Sequence, residues 1–239
     1  MESLIILFIM VVIVGGIGVS VYQEKRTEEA WTEVADRTGL TKSGGGFFSK
    51  HRLDGVYRGI PVQIFIRSER RGSGKNSSTV HFTTIEAEFS QPAWQGASIS
   101  PKGFGTKILQ FFGAAKSAVE TGTDFDSQFV VSGVVDETLT EALKDETVQD
   151  QLHGLRNGFQ NFRVENGAVR VENQEVVRDA NRLIRYLERV VDRVQLLEER
   201  VGGGSMAAMG MEDIFPSAGA AESDWQSEYV GHEAGEAIW

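Results

Sequence analysis

Residues 162–173 read FRVENGAVRVEN, and this stretch decides the fold class. Two runs that alternate apolar and polar residues are joined by Asn166-Gly167. Asn-Gly is a preferred pair for a two-residue type I′ turn, because both turn positions need a positive φ. The stretch therefore predicts a tight antiparallel hairpin with one apolar face.

Similar strand patterns recur earlier in the chain. Residues 50–57 and 60–67 flank a second short turn at Arg58-Gly59, which predicts another hairpin. Residues 78–89 and 125–133 are rich in β-branched and aromatic residues, and each predicts one further strand.

Two amphipathic helices flank the Asn-Gly hairpin, at residues 137–157 and 175–201. The second carries a heptad seam, with apolar residues at alternate steps of four and three: Val176, Ala180, Leu183, Leu187, Val190, Val194, Leu197 and Val201. Two interpretations stay open. The seam forms either a coiled-coil homodimer over residues 176–201 or the centre of a wider stripe packed on the protein's own sheet. Val177, Ile184 and Val191 widen the stripe and favour the second interpretation.

These elements predict an α+β domain over residues 24–201, built from antiparallel hairpins packed with helices and ending in a long amphipathic helix. The last helix also carries a row of arginines. These like charges destabilise a helix unless acidic residues neutralise them. The row consists of Arg178, Arg182, Arg185, Arg189 and Arg193. The helix's own acids neutralise part of this charge, and an acidic partner, such as the protein's own tail, would neutralise the rest.

Residues 4–22 read LIILFIMVVIVGGIGVSVY, 19 residues without a charge. At about 1.5 Å rise per residue, such a helix nearly matches a hydrocarbon core of about 30 Å. The start carries Glu2 rather than Lys or Arg, and no cleavage motif follows, so residues 1–23 predict an uncleaved transmembrane anchor and not a signal peptide. Lys25 and Arg26 flank only its C-terminal end, which predicts an outside N-terminus and a cytoplasmic domain.

The formal net charge of −10 is unevenly distributed. Residues 202–239 hold seven acids and no Lys or Arg, whereas residues 24–201 are close to neutral, so no nucleic-acid partner is expected. The acidic tail, rich in Gly, Ala and Ser, predicts disorder. Its aromatic residues are unusual in a purely solvating tail and predict docking to a protein partner. They are Phe215, Trp225, Tyr229 and Trp239.

A basic segment at the second predicted hairpin predicts contact with an anionic lipid headgroup or ligand. Its candidate residues are Arg67, Arg70, Arg71 and Lys75. The alternative is a solvated hairpin whose arginines discourage edge-to-edge pairing.

The sequence predicts no catalytic, cofactor or metal site. There is no cysteine, and the four histidines are scattered without metal-ligand spacing. Residues 72–79, GSGKNSST, depart from the phosphate-loop pattern at the first glycine and after the lysine. Asp124 and Asp126 stand close enough to act as paired carboxylates, but turn and capping roles are commoner for aspartate.

Two motifs carry a resemblance. They are LDGVYRGIPV at residues 53–62 and GTDFDSQFVVSG at residues 122–133. With them, the chain resembles, over about residues 28–200, a loose group of uncharacterised bacterial membrane-anchored α+β proteins of unknown function. The resemblance implies a bacterial source and a shared fold, but no activity. The resulting expectation is a single-pass inner-membrane protein that serves as a non-catalytic scaffold or adaptor. The alternative is a membrane-proximal sensor or binding module for an anionic ligand or lipid headgroup.

Overall fold

The chain is described by a computed structural model over residues 2–45, 50–74, 77–102 and 119–208. Side chains are described within these ranges at Gly18 and over residues 21–202. The chain divides into two units, Met1–Gly204 and Ser205–Trp239. The predicted contact residue Lys75 and the four aromatic residues of the tail lie outside the described residues.

The described part of the chain contains five α-helices, a short 3-10 helix (Pro92–Trp94) and eight strands. The helices are α1 (Glu2–Thr38), α2 (Phe125–Gln128), α3 (Glu137–Ala142), α4 (Glu146–Gly158) and α5 (Ala180–Ala208). The strands are β1 (Thr41–Ser43), β2 (Arg52–Tyr57), β3 (Ile60–Arg71), β4 (Ser78–Glu88), β5 (Ala97–Pro101), β6 (Phe129–Gly133), β7 (Asn161–Glu165) and β8 (Ala168–Asn173). The predicted α+β class is confirmed.

All strands pair antiparallel in one sheet of order β1-β2-β3-β4-β8-β7-β5-β6. The Asn-Gly hairpin is confirmed as β7 and β8, with positive φ at Asn166 (54°) and Gly167 (71°). It lies at the centre of the sheet, because β8 pairs with β4 while β7 meets β5. The Arg58-Gly59 turn likewise joins β2 to β3.

The core lies on one face of the sheet, beneath α5. Val62 and Ile64 of β3 share this face with Ile85 of β4 and Val171 of β8, and all four are buried. The described α5 residues of the predicted heptad seam are also buried, as are the stripe-widening residues Ile184 and Val191. The wide-stripe interpretation therefore describes how α5 packs, and the seam lies within the protein's own core.

Several boundaries differ from the predictions. Residues 125–133 were predicted as one strand, but residues 125–128 form α2, because Asp126 accepts hydrogen bonds from the preceding loop. The predicted helix at residues 137–157 is interrupted after Ala142, since Asp145 starts a second helix by accepting a hydrogen bond from the Thr147 amide. Strand β3 continues past the predicted end at Arg67.

Helix α1 is continuous from Glu2 to Thr38. Over the part of the chain that the structure describes, no helix combines the length and the apolar character needed to cross a membrane. The transmembrane anchor expected at residues 1–23 therefore has no support from the described residues.

Candidate functional site

The C-terminal half of α1 is built into the domain core. Thr27, Ala30, Trp31 and Val34 are buried at successive turns of this helix. The Trp31 indole Nε1 donates a hydrogen bond to the backbone oxygen of Val177, just before α5, at 3.1 Å. The helix is thus fixed both to the sheet and to the start of the other long helix.

A buried histidine marks the point where α1 meets the sheet. The imidazole of His51 has Nε2 3.2 Å from a Glu24 carboxylate oxygen and Nδ1 3.4 Å from one of Glu28, both on α1. Lys42 of β1 forms a further ion pair with Glu28. The Trp31 ring packs beside the imidazole, with 5.5 Å between ring centroids. Sequence reasoning missed this cluster, because nothing in the sequence pattern links His51 to α1.

These contacts fix the direction in which α1 crosses the sheet. Near Glu24 the helix lies against His51, whose backbone oxygen accepts from the Ile66 amide of β3. Beyond its C-terminal end, Leu40 packs against Gly55, which pairs with Val62 of β3. Followed backwards, α1 therefore leaves the domain at the Ile66 end of β3.

A two-stranded arm projects from that same end of the sheet. Its strands are residues 67–71 of β3 and residues 78–82 of β4, and within the described strands they pair only with each other. The neighbouring strands stop earlier, since the β2 pairing ends at Phe65 and the β8 pairing ends at Thr83. At about 3.3 Å per residue, the five paired positions extend about 16 Å beyond the sheet. We call this ribbon the arm.

At the base of the arm, Arg67 is bound to a buried carboxylate. Its Nε and Nη2 atoms donate to the two Glu172 oxygens at 2.8 and 2.9 Å, a bidentate pair. Asn161 of β7 donates to the same carboxylate at 2.9 Å. Burial disfavours the Glu172 charge, but the hydrogen bonds from Arg67 and Asn161 and the charge of Arg67 outweigh burial, so the pKa of Glu172 lies below its ordinary value.

Arginine side chains also cover the aromatic residue of the arm. The guanidinium carbons of Arg67 and Arg71 lie 4.7 and 5.5 Å from the ring centroid of Phe82, within the range of cation–π contacts. Phe82 is consequently buried even though it faces away from the core. Glu69 pairs with both arginines, at 3.2 and 3.3 Å.

The predicted contact residues thus differ in how much free charge they carry. Arg67 and Arg71 are neutralised within the protein. Arg70, which precedes Arg71 on the arm, donates to the Ser77 hydroxyl at 2.8 Å and has no acidic partner among the described residues. The structure brings these three arginines together on one arm.

Asp126, one of the two aspartates of the second motif, has a structural role in the fold. Its carboxylate accepts from the backbone amides of Thr121 and Gly122 at 3.1 and 2.8 Å, which closes the preceding loop. Burial opposes its charge, but these hydrogen bonds prevail and hold the pKa of Asp126 below its ordinary value. Among the described residues, no group of three or more acidic, histidine or cysteine side chains is arranged to hold a metal ion.

The sequence and the fold were compared with known proteins. No protein-family model, no curated protein and no solved structure matches the chain. The functional conclusion therefore rests on the residues and contacts of this chain alone.

Proposed function

We propose that this protein is a single-pass protein of the bacterial inner membrane whose cytoplasmic α+β domain is a non-catalytic scaffold or adaptor. One observation carries the proposal. Helix α1 runs without a break from the apolar stretch at residues 4–22 into the domain core at Trp31. A membrane anchor in that stretch would be coupled to the domain by helix rather than by a flexible linker.

The exposed residues at the end of the apolar stretch suit a membrane boundary. Val21 and Tyr22 expose 55% and 62% of their surface, although both are large and hydrophobic. The guanidinium of Arg26 lies over the Tyr22 ring, 5.9 Å from its centroid. Tyrosine and basic residues are typical of the cytoplasmic interface of a transmembrane helix. From Tyr22 to Trp31 the helix rises about 14 Å, so the domain would lie close to the lipid headgroups.

The arm supports a second candidate function, contact with an anionic headgroup or ligand. It projects from the end of the sheet at which α1 leaves, so an anchored domain would direct it toward the bilayer. Arg70 offers an unneutralised charge there, and Lys75 follows in the sequence. Each basic residue near an anionic surface contributes about 1 kcal/mol.

Membrane extraction of the full chain tests the anchor. We expect the protein to stay in the membrane pellet after alkaline carbonate washing and to be released by detergent. A Val12→Lys, Val14→Lys variant should be released by carbonate, since a charge at the centre of a membrane helix costs about 2.5–3.5 kcal/mol. The matched Val12→Leu, Val14→Leu variant should stay. Carbonate release of the unmodified protein would contradict the anchor.

Affinity capture from native membranes tests the adaptor role. The full-length protein should retain a defined partner that a version ending at Gly204 loses. A full-length variant with alanine at the four tail aromatics supplies the matched control, because it keeps the charge and length of the tail. If all three proteins retain the same partners, the tail does not recruit them.

A further inference from the structure

Helix α5 presents cations that its own acids do not neutralise. Arg185, Arg189 and Arg193 follow at steps of four residues, about 6 Å along the helix axis. The acids beside them in sequence, Glu188 and Asp192, are bound instead by Arg58 of the β2–β3 turn, at 3.4 and 2.8 Å.

Two glycines of α4 contact the side chains of two arginines in this row. A Cβ on Gly154 would overlap the guanidinium of Arg193, and one on Gly158 would lie 3.3 Å from the Arg189 side chain. Glycine is unfavourable inside a helix, so its presence at Gly154 needs a reason, whereas Gly158 is the last residue of α4. Here both glycines make room for an arginine. We call the surface where α4 meets α5 at Gln151, Gly154, Gly158, Arg189 and Arg193 the α4–α5 groove.

Neither guanidinium in the groove has an acidic partner among the described residues. Arg193 is partly buried and donates to the neutral amide oxygen of Gln151 at 2.9 Å. Burial first, and the nearby Arg189 charge second, lower the pKa of Arg193 below the ordinary arginine value. Two adjacent cations held in this way favour an anion between them.

The two ends of the groove lie at different distances from the proposed membrane surface. Its helix turn is tied through Asp192 to Arg58, at the end of β3 where Ile60 begins the strand. Helix α1 leaves the domain at Ile66, about 20 Å away along the same strand. At the other end of the groove, Gly158 is three residues from Asn161 at the base of the arm, so the vesicle competition described below distinguishes lipid headgroups from a protein chain. Leu196, one turn beyond Arg193, exposes 41% of its surface and offers an apolar contact to a protein chain.

We propose that the α4–α5 groove binds an acidic segment of a partner protein through Arg189 and Arg193. The proposal names the partner chemistry for the adaptor function and rests on it. Carboxylates at alternate positions of an extended chain repeat about every 6.6 Å, close to the spacing of the arginines. Each arginine binds one carboxylate of the segment.

Binding of a defined probe to the detergent-solubilised full chain tests the proposal. The probe is a short fluorescein-labelled peptide of alternating Glu and Ser, followed by fluorescence anisotropy. Arg189→Gln with Arg193→Gln should weaken binding about tenfold or more, which corresponds to about 1.4 kcal/mol. The matched control, Arg178→Gln with Arg182→Gln, removes the same charge just before and within the first turn of α5, and should change affinity little.

A third variant separates groove geometry from charge. Gly154→Ala leaves the net charge unchanged but displaces the Arg193 guanidinium, so it should also weaken binding. Equal losses in the two double variants would overturn the proposal, as would an unchanged affinity in all of them. Inorganic phosphate and phosphatidylglycerol vesicles serve as competitors. If either displaces the peptide at a concentration of negative charge below that of the peptide itself, the groove is assigned to phosphate groups instead. Because the assay needs no membrane, its outcome is independent of the carbonate test of the anchor.

Discussion

Two neighbouring threonines on β4 should respond in opposite ways to the same substitution. Thr83 and Thr84 are both buried, and they point to opposite faces of the sheet. The Thr83 hydroxyl donates to the Glu175 backbone oxygen at 2.7 Å and accepts from the Val177 amide at 3.0 Å. Among the described residues, the Thr84 hydroxyl finds no hydrogen-bond partner. Valine has nearly the same shape as threonine and an equally strong preference for strands.

The structure sets the size of the difference. Thr83→Val leaves the Val177 amide and the Glu175 oxygen without this partner, and an unsatisfied buried group costs about 1–3 kcal/mol. We therefore expect a loss of about 2–4 kcal/mol in the free energy of unfolding. Thr84→Val removes a hydroxyl that is buried without compensation, so it should be neutral or stabilise by about 1 kcal/mol.

Equilibrium urea unfolding of the full chain in mild detergent, followed by circular dichroism, measures both changes. Thr83→Ser serves as a control, because it keeps the hydroxyl while removing the methyl group. Equal losses of stability for the two valine variants would refute the register assigned to β4. They would also refute the hydrogen bonds that attach residues 175–177, just before α5, to this strand.

Two other predictions concern pH and backbone geometry. Because the pKa of Glu172 is depressed in the folded state, its ion pair stabilises the protein above the ordinary value of 4.5 and this stability is lost as the pH falls through the folded-state pKa. The Glu172→Gln variant should thus be less stable than the unmodified protein at pH 7 and should lose less stability on acidification. Urea midpoints measured across pH 3–7 test this, and parallel pH curves for the two proteins would contradict it. Gly133 and Gly59 have nearly equal positive φ values of 87° and 84°, but only at Gly133 would an added Cβ overlap the Gly96 carbonyl oxygen. Alanine should cost about 1 kcal/mol at Gly59 from φ strain and clearly more at Gly133, and thermal unfolding that ranks them equally would contradict the close approach.

The fold class was predictable because its strongest elements carry local signals. Asn166-Gly167 specified the central hairpin through the need for positive φ, and the stripe around Leu187 specified a helix packed on the sheet. The length of the arm was not predictable. Residues 69–71 are charged and polar on both faces, a composition typical of loops, and only their pairing with β4 makes them a strand.

The candidate site was predictable only in part. The basic residues of the arm stand out in the sequence, but the partner of Arg67 is Glu172, 105 positions away, and no local pattern links them. The arginine row of α5 was likewise visible. Its contact with Gly154 and Gly158 depends on how α4 packs against α5, which the sequence periodicity does not specify.

The proposed position of the domain at the membrane can be measured with single cysteines, because the chain contains none. Thr79→Cys places a fluorophore on the arm, opposite Arg70, and Val56→Cys places one at the far end, opposite Pro61. The two sites lie about 30 Å apart along β3. In vesicles with headgroup-labelled quencher lipids, the full chain should show strong quenching at residue 79 and little at residue 56. Equal quenching, or stronger quenching at residue 56, would contradict a domain held by α1 with its arm against the bilayer.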